Sequence, residues 1–214
     1  ADMRSVPRTE FIRSISLGED ESVQSLLGSE DFLSLVEALE GELTANEIDG
    51  LQPWYLEGAL TRTLLPELVP MDVTITENAA LSGTSVDFLE TWQRQVSMLN
   101  ALGLDDGIAR LRATLHDQEG TVDAHLRWTE AYQQGDVEAL TELAFAPEDM
   151  ELRPQFFEEI VFRRNEIWMS LLEPILSEGE AFVAVGFMHM LLPRGLVSLL
   201  REAGYDVELV GRDD

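Results

Sequence analysis

The feature that most constrains the fold is a short apolar run near the end of the chain, Ala181-Phe-Val-Ala-Val185. It has no polar position facing outward, so it is typical of a strand that is buried on both faces of a parallel sheet. Such a strand needs neighbouring strands and covering helices. The run therefore predicts an α/β fold, and we expect a small mixed sheet within a helix-rich chain.

A loop, a helix and a second strand are predicted after this run. Gly186-Phe-Met-His189 follows directly, and apolar residues then recur at helical spacing over residues 196–203. Gly204 can end that helix, and residues 206–210 alternate as an edge strand does. His189 therefore lies at the carboxyl end of a predicted strand, where open α/β sheets bind their ligands.

Charge and composition exclude several classes of function. The 214 residues include 41 Asp and Glu against 14 basic residues, all of them arginine, for a net charge of −27. This charge repels phosphate backbones and anionic lipids, so we expect no nucleic-acid binding and no lipid binding. Without lysine there is no P-loop and no Schiff-base chemistry, and without cysteine there is no disulfide. The acidity favours either solubility or a surface that handles metals or basic peptides.

The location of the protein stays open between cytoplasm and periplasm. No apolar run approaches the ~20 residues that cross a bilayer, so we expect no membrane span. The first residues are too polar for a signal peptide, but a cleaved signal would leave no trace, and we slightly favour a periplasmic or secreted location after signal removal over a cytoplasmic one.

The pattern along the chain is interpreted as one domain, residues 1–214. Residues 1–20 are expected to form an extended lead-in, and residues 22–82 a layer of small helices. Residues 91–176 read as helix almost throughout and are interpreted as an insertion between two strands of the sheet.

Three local signals support these helices. Thr44 and Glu47 have the spacing of a capping box, and Pro53 is suited to a first helical turn. Asp136 can cap a short helix, and the longest helix is predicted after Pro154.

His189 is the leading candidate for chemistry. Gly186 precedes it and would let the backbone turn sharply at the strand end, which would aim the imidazole into a cleft. The alternative is a hydrogen-bonded loop histidine with a structural role.

Three ordered motifs resemble the TraB/GumN family, which includes TraB, PrgY, GumN and the TIKI proteases. They are FVAVGFMH followed by LVSLLREAGYDVELV, then Phe88-Leu-Glu-Thr91, and Arg163-Arg-Asn-Glu-Ile-Trp168. The resemblance covers roughly residues 20–210. It implies a metal-dependent peptidase acting on a peptide or protein, with His189 as one metal ligand and Mn, Co or Zn as the metal.

The resemblance also decides how residues 72–76 are interpreted. Their β-branched residues favour a strand, whereas the family pattern implies a helix that ends at Gly83. We follow the family, because intrinsic propensity is a weak prior. Residues 83–89 then become a sheet strand with Glu90 at its carboxyl end, where it would serve as metal ligand or general base. The alternative is a surface carboxylate.

Arg164 and Asn165 form the third part of the predicted site. Arg164 lies one helical turn from Ile160 and Trp168, beside the apolar stripe, where a guanidinium needs a carboxylate or an oxyanion. A structural ion pair with Glu90 is one interpretation. In the other, Arg164 stabilises an oxyanion and Asn165 orients a carbonyl group.

The chain departs from the family pattern at its beginning. Family members start with a strand that ends in another Gly-x-x-His and a second strand that carries a glutamate, and neither is present: the histidines are residues 116, 125 and 189. A hydrolytic metal site usually has three protein ligands. We therefore expect an incomplete site with at most His189 and Glu90 as ligands.

A non-catalytic binding protein is the competing interpretation. Its cleft beside His189 would hold a haem-like or other small ligand, or its acidic helices would dock a basic protein partner. The geometric expectation common to the site interpretations is that Glu90, Arg164 and His189 converge to within about 10 Å.

Overall fold

The part of the chain that the structure describes consists of helices joined by turns and irregular segments. The computed structural model describes residues 6–66 and 70–210, and these ranges contain no β-strand. Contacts divide the chain into two compact units, Ala1–Thr129 and Glu130–Asp214, which are described separately below. That both units belong to one domain stays a prediction.

The first unit is built from short helices. They are α1 (Arg8–Ser14), α2 (Val23–Leu27), α3 (Ser29–Ala38), α4 (Ala45–Asp49), α5 (Pro53–Leu64), α6 (Met71–Ser82), α7 (Trp92–Asn100) and α8 (Leu104–His116). The next helix, α9 (Gln118–Gln134), contains the division between the units.

Local capping explains where two of these helices begin. The Glu47 N–H donates to Thr44 Oγ1 at 3.3 Å, and the Thr44 N–H donates to Glu47 Oε2 at 2.8 Å, so the predicted capping box is confirmed at α4. Pro53 occupies the first turn of α5, also as predicted, because its missing N–H has no helical partner there.

The core of the first unit lies between these helices, where α5 packs against α8. Its fully buried members are aliphatic, and each such side chain contributes about 1.5–3 kcal/mol by leaving water. They include Ile15, Leu35, Leu39, Ile48, Leu56, Leu60 and Leu111.

The predicted extended lead-in is wrong for the residues that the structure describes. Residues 8–14 form α1, and Ile15 is fully buried. The Gln52 N–H donates to the Ile15 carbonyl at 2.9 Å, so this segment is attached to the start of α5. A tertiary contact thus orders a stretch whose own composition is polar; residues 1–5 lie outside the described residues.

The segment on which propensity and family pattern disagreed is a helix. It is α6, and it ends at Gly83, whose φ of 73° is left-handed. The family pattern was right here, and the β-branched residues of the segment did not decide its conformation.

The second unit contains helices of three kinds. They are α10 (Val137–Ala144), α11 (Pro147–Leu152), α12 (Pro154–Phe157), a π-helical turn (Glu158–Phe162), α13 (Arg163–Glu178), a 3₁₀ turn (Phe187–Met190) and α14 (Leu196–Glu202). Asp136 caps α10 as predicted, because its Oδ1 accepts from the Ala139 N–H at 2.9 Å. No helix among the described residues is long and apolar enough to span a membrane.

The predicted α/β class with a small mixed sheet is wrong. Residues 83–89, 181–185 and 206–210 are all irregular, although their patterns are typical of strands. Phe182, at the centre of the run that predicted a doubly buried strand, is 81% exposed. A strand exists only when another backbone lies about 4.8 Å away, and a local pattern cannot supply that partner.

Asn100 joins three elements of the first unit. Trp54 Nε1 of α5 donates to Asn100 Oδ1 at 2.9 Å, and Asn100 Nδ2 donates to the carbonyl of Ser14 at 2.8 Å.

We expect Asn100→Ala to lower the free energy of unfolding by about 1–3 kcal/mol in urea titrations, because two partly buried groups lose their partners. Asn78→Ala, at an exposed position of α6, should change it by less than about 0.5 kcal/mol. Equal losses would contradict this role for Asn100.

Candidate functional site

His189 is buried in the second unit, in a 3₁₀ turn that follows Gly186. The His189 N–H donates to the Gly186 carbonyl at 2.9 Å, which closes the turn. Only 7% of His189 is exposed, and its ring lies 4.5 Å from that of Trp168, measured between centroids. The Gly-x-x-His motif therefore turns its imidazole inward against α13.

Asn165 determines which nitrogen of that imidazole carries the proton. Its Nδ2 donates to the carbonyl oxygens of His189 at 3.2 Å and Arg194 at 2.8 Å. Because carbonyl oxygens only accept, the amide orientation is fixed and Asn165 Oδ1 faces His189 Nδ1 at 2.7 Å. Nδ1 must then be the protonated nitrogen, and Nε2 of the neutral ring is an acceptor.

Arg164 supplies the donor for that acceptor. Its Nη1 lies 3.2 Å from His189 Nε2 and donates to the Ile160 carbonyl at 3.0 Å. The guanidinium carbon also lies 4.6 Å from the centre of the Trp168 ring, a cation–π distance. The plane of the guanidinium is therefore fixed by its own helix, the imidazole and the indole.

The surroundings keep the imidazole neutral. Burial, and then the nearby charge of Arg164, lower the pKa of His189 from 6.5 to about 4, and a hydrogen bond with the Val161 backbone has a smaller opposing effect. At neutral pH the pair is thus a cation beside a neutral acceptor.

Arg194 attaches the loop after His189 to the helices beneath it. Its Nη1 and Nη2 contact the Glu158 carboxylate at 2.5 and 3.0 Å, and its Nη2 and Nε contact Glu166 Oε1 at 2.6 and 3.1 Å. The guanidinium also lies 4.8 Å from the Phe162 ring centre. Hydrogen bonds from Arg194 lower the pKa of Glu158. This network holds the backbone carbonyl that Asn165 needs.

Sequence reasoning missed two features of this site. One is the Arg194 network, whose two carboxylates lie 36 and 28 residues away in sequence. The other is the π-helical turn at Glu158–Phe162, directly before Arg163, a distortion that frequently occurs at functional sites. Neither has a local sequence signal, because each depends on which side chains pack together.

Gly186 does not have the role that the sequence predicted, and Gly195 occupies the tighter position in the loop. Gly186 has φ −60° and ψ 143°, which any residue adopts, so a sharp glycine turn is not the reason for its position. A Cβ there would meet His189 Cδ2 at 3.6 Å, an ordinary contact. A Cβ on Gly195, in contrast, would overlap the carbonyl oxygens of Met190 and Leu191.

The residues present do not fit a metal ion at His189. Its Nε2 faces the guanidinium of Arg164, which repels a cation, and its Nδ1 is bonded to Asn165. Among residues 6–66 and 70–210 there is no group of three or more His, Asp or Glu that could hold a metal. The same two hydrogen bonds leave neither ring nitrogen presented as an axial haem ligand.

Three of the predicted site residues come together, and the fourth lies in the other unit. Arg164, Asn165 and His189 are in direct contact within the second unit. Glu90 is half-buried in the first unit, just before α7. Its convergence with His189, as ligand or general base, stays a prediction.

The glycine contrast can be tested by stability measurements. Gly195→Ala should lower the free energy of unfolding by about 1–3 kcal/mol, since the new methyl group has no room. Gly186→Ala is the matched control, and it should leave the free energy unchanged or raise it by up to about 1 kcal/mol. Both are measured by urea unfolding; a larger loss at Gly186 would contradict the loop geometry.

The buried neutral imidazole predicts a pH dependence of stability. Between about pH 6.5 and 4 the unfolded chain binds a proton at His189 that the folded protein does not, so stability falls as the pH falls. From pH 7 to 4.5 the wild type should lose about 2 kcal/mol more than His189→Gln. Identical pH profiles for wild type and His189→Gln would contradict the shift.

Comparison with known families places these residues in context. The model of the TraB/PrgY/gumN family matches residues 1–209, a range that includes Arg164, Asn165 and His189. Comparisons with curated proteins and with solved structures found no match. The predicted resemblance is confirmed, and the chain belongs to the TraB/PrgY/gumN family.

Proposed function

We propose that this chain is a peptidase-related domain that binds peptides at Arg164 and has an incomplete hydrolytic centre. The observation that supports it is the position of Arg164 Nη1, between the Ile160 carbonyl and His189 Nε2 at 3.0 and 3.2 Å. A cation with a fixed orientation is suited to an oxygen atom that is negative or becomes negative during peptide-bond chemistry.

The charge of Arg164 is well placed for this role. The side chain is half-buried, so its field is screened less than that of a surface arginine. His189 is neutral and therefore does not cancel that charge.

Asn165 and His189 are positioning residues in this proposal. Asn165 uses both hydrogens of Nδ2 and its Oδ1 within the protein, so orienting a substrate carbonyl is not its role. His189 transmits the orientation of Asn165 to Arg164. Replacing either residue should therefore alter Arg164 before it alters any direct substrate contact.

The metal-dependent peptidase activity that the family resemblance implies can be tested separately. Because the donors at His189 do not fit a divalent cation, the proposal includes no metal-bound step. We expect little cleavage of a mixture of fluorogenic peptides with added Mn²⁺, Co²⁺ or Zn²⁺, at rates indistinguishable from those of His189→Ala. Robust metal-dependent cleavage that disappears in His189→Ala would overturn the incomplete centre.

Peptide binding can be followed through Trp168, which lies against both Arg164 and His189. The probes are trialanine and a phosphinic analogue of it, whose tetrahedral anion resembles the oxyanion of peptide hydrolysis. We expect the analogue to change the tryptophan fluorescence and to bind at least about tenfold more tightly than trialanine. The Trp168→Phe variant should lose the signal.

Neighbouring arginines provide the matched control. Arg163 is 62% exposed and pairs with Glu159 one turn away. Arg163→Gln should bind the analogue as the wild type does, whereas Arg164→Gln should lose about tenfold or more in affinity. Equal affinities of Arg164→Gln and the wild type would refute the proposed function.

A further inference from the structure

Residues 206–210 present apolar side chains to solvent. Leu209 is 84% exposed and Val210 is 91% exposed. No backbone-to-backbone hydrogen bond between described residues involves this segment, although Arg201 Nη2 donates to the Val207 carbonyl at 2.8 Å and so attaches its start to α14. A β-prone segment in this state is a template on which another strand can pair.

The ionisable side chains within this segment are acidic, and Arg201 is the basic side chain that contacts its start. Asp206 and Glu208 are exposed, and residues 202–210 include no basic side chain. The whole chain carries −27 charges, so a second copy and an anionic membrane are both repelled. A positively charged partner is the one that this field attracts.

A cleft of about 550 Å³ lies where the segment begins. Glu173, Ser170, Ser177 and Tyr205 line it, and Tyr205 directly precedes the segment. Pro174 also lines it and has no N–H, so the carbonyl of Ser170 lacks its usual helical donor. A carboxylate, hydroxyl groups, a carbonyl oxygen and an aromatic ring together suit an ammonium or guanidinium group.

We propose that residues 206–210 and this cleft, here called the acidic strand site, bind a basic, strand-forming segment of another polypeptide. The segment pairs with the backbone of residues 206–210 and places a lysine or arginine side chain against Glu173. Main-chain hydrogen bonds supply the affinity, and the cleft supplies the preference for a basic residue. This inference is independent of peptide binding at Arg164.

The test uses the whole chain and a fluorescein-labelled decapeptide that alternates valine or threonine with arginine. Fluorescence anisotropy should show saturable binding that weakens between about 50 and 500 mM NaCl, since the contact is partly ionic. Glu173→Gln and Leu209→Ser should each weaken binding about tenfold. Arg164→Gln should bind as the wild type does, which separates this site from the proposed peptide site.

Matched controls separate strand pairing from general charge attraction. Leu152→Ser removes an apolar side chain that is 78% exposed on α11, and Glu151→Gln removes its neighbouring charge; neither should change the affinity. A decapeptide with proline in place of valine keeps its charge but cannot form a ladder, and it should bind at least about tenfold more weakly. Equal binding of the two peptides, equal losses in the control variants, or self-association without peptide binding would each overturn the proposal.

Discussion

The side-chain amide of Asn165 is the contact on which the geometry of the site depends. It is fully buried on α13, and both of its polar atoms are used: the nitrogen donates to two loop carbonyls, and the oxygen accepts from His189. This arrangement fixes the loop, the tautomer of the imidazole and, through the imidazole, the orientation of Arg164. An aspartate or leucine of similar size at this position could not perform all three tasks, because the loop carbonyls require donors.

The charge state of His189 is opposite to the one that the net charge of the whole chain would favour. A chain with a net charge of −27 favours protonated histidines, yet the pKa of His189 falls to about 4, first because the ring is buried and then because Arg164 lies beside it. The fields of distant carboxylates are screened by salt and water, whereas the guanidinium acts at 3.2 Å in a partly buried contact. The local arrangement therefore determines the charge state, and it produces a cation beside a neutral acceptor.

Local signals predicted much of the helical framework, and they also identified Arg164, Asn165 and His189, which lie in contact with one another. Thr44 with Glu47, Pro53 and Asp136 mark helix starts because capping depends on residues within one turn. The Gly-x-x-His and Arg-Arg-Asn motifs pointed to Arg164, Asn165 and His189 because the family pattern relates positions that touch. The predictions of strands at residues 83–89, 181–185 and 206–210 were wrong for the opposite reason. Strand pairing is non-local, and an apolar run shows only that a segment could pair with another. The Arg194 network and the π-helical turn likewise depend on tertiary packing.

The central claim is that Asn165 holds His189 as a neutral acceptor for Arg164. Nitrogen-15 NMR of the imidazole in the whole protein tests it most directly, because the two ring nitrogens report tautomer and charge separately. The account predicts a neutral ring protonated at Nδ1 at pH 7 that stays neutral at pH 5.5, with Asn165→Leu removing the tautomer preference. A ring protonated at Nε2, or one that carries both protons at pH 5.5, would contradict it.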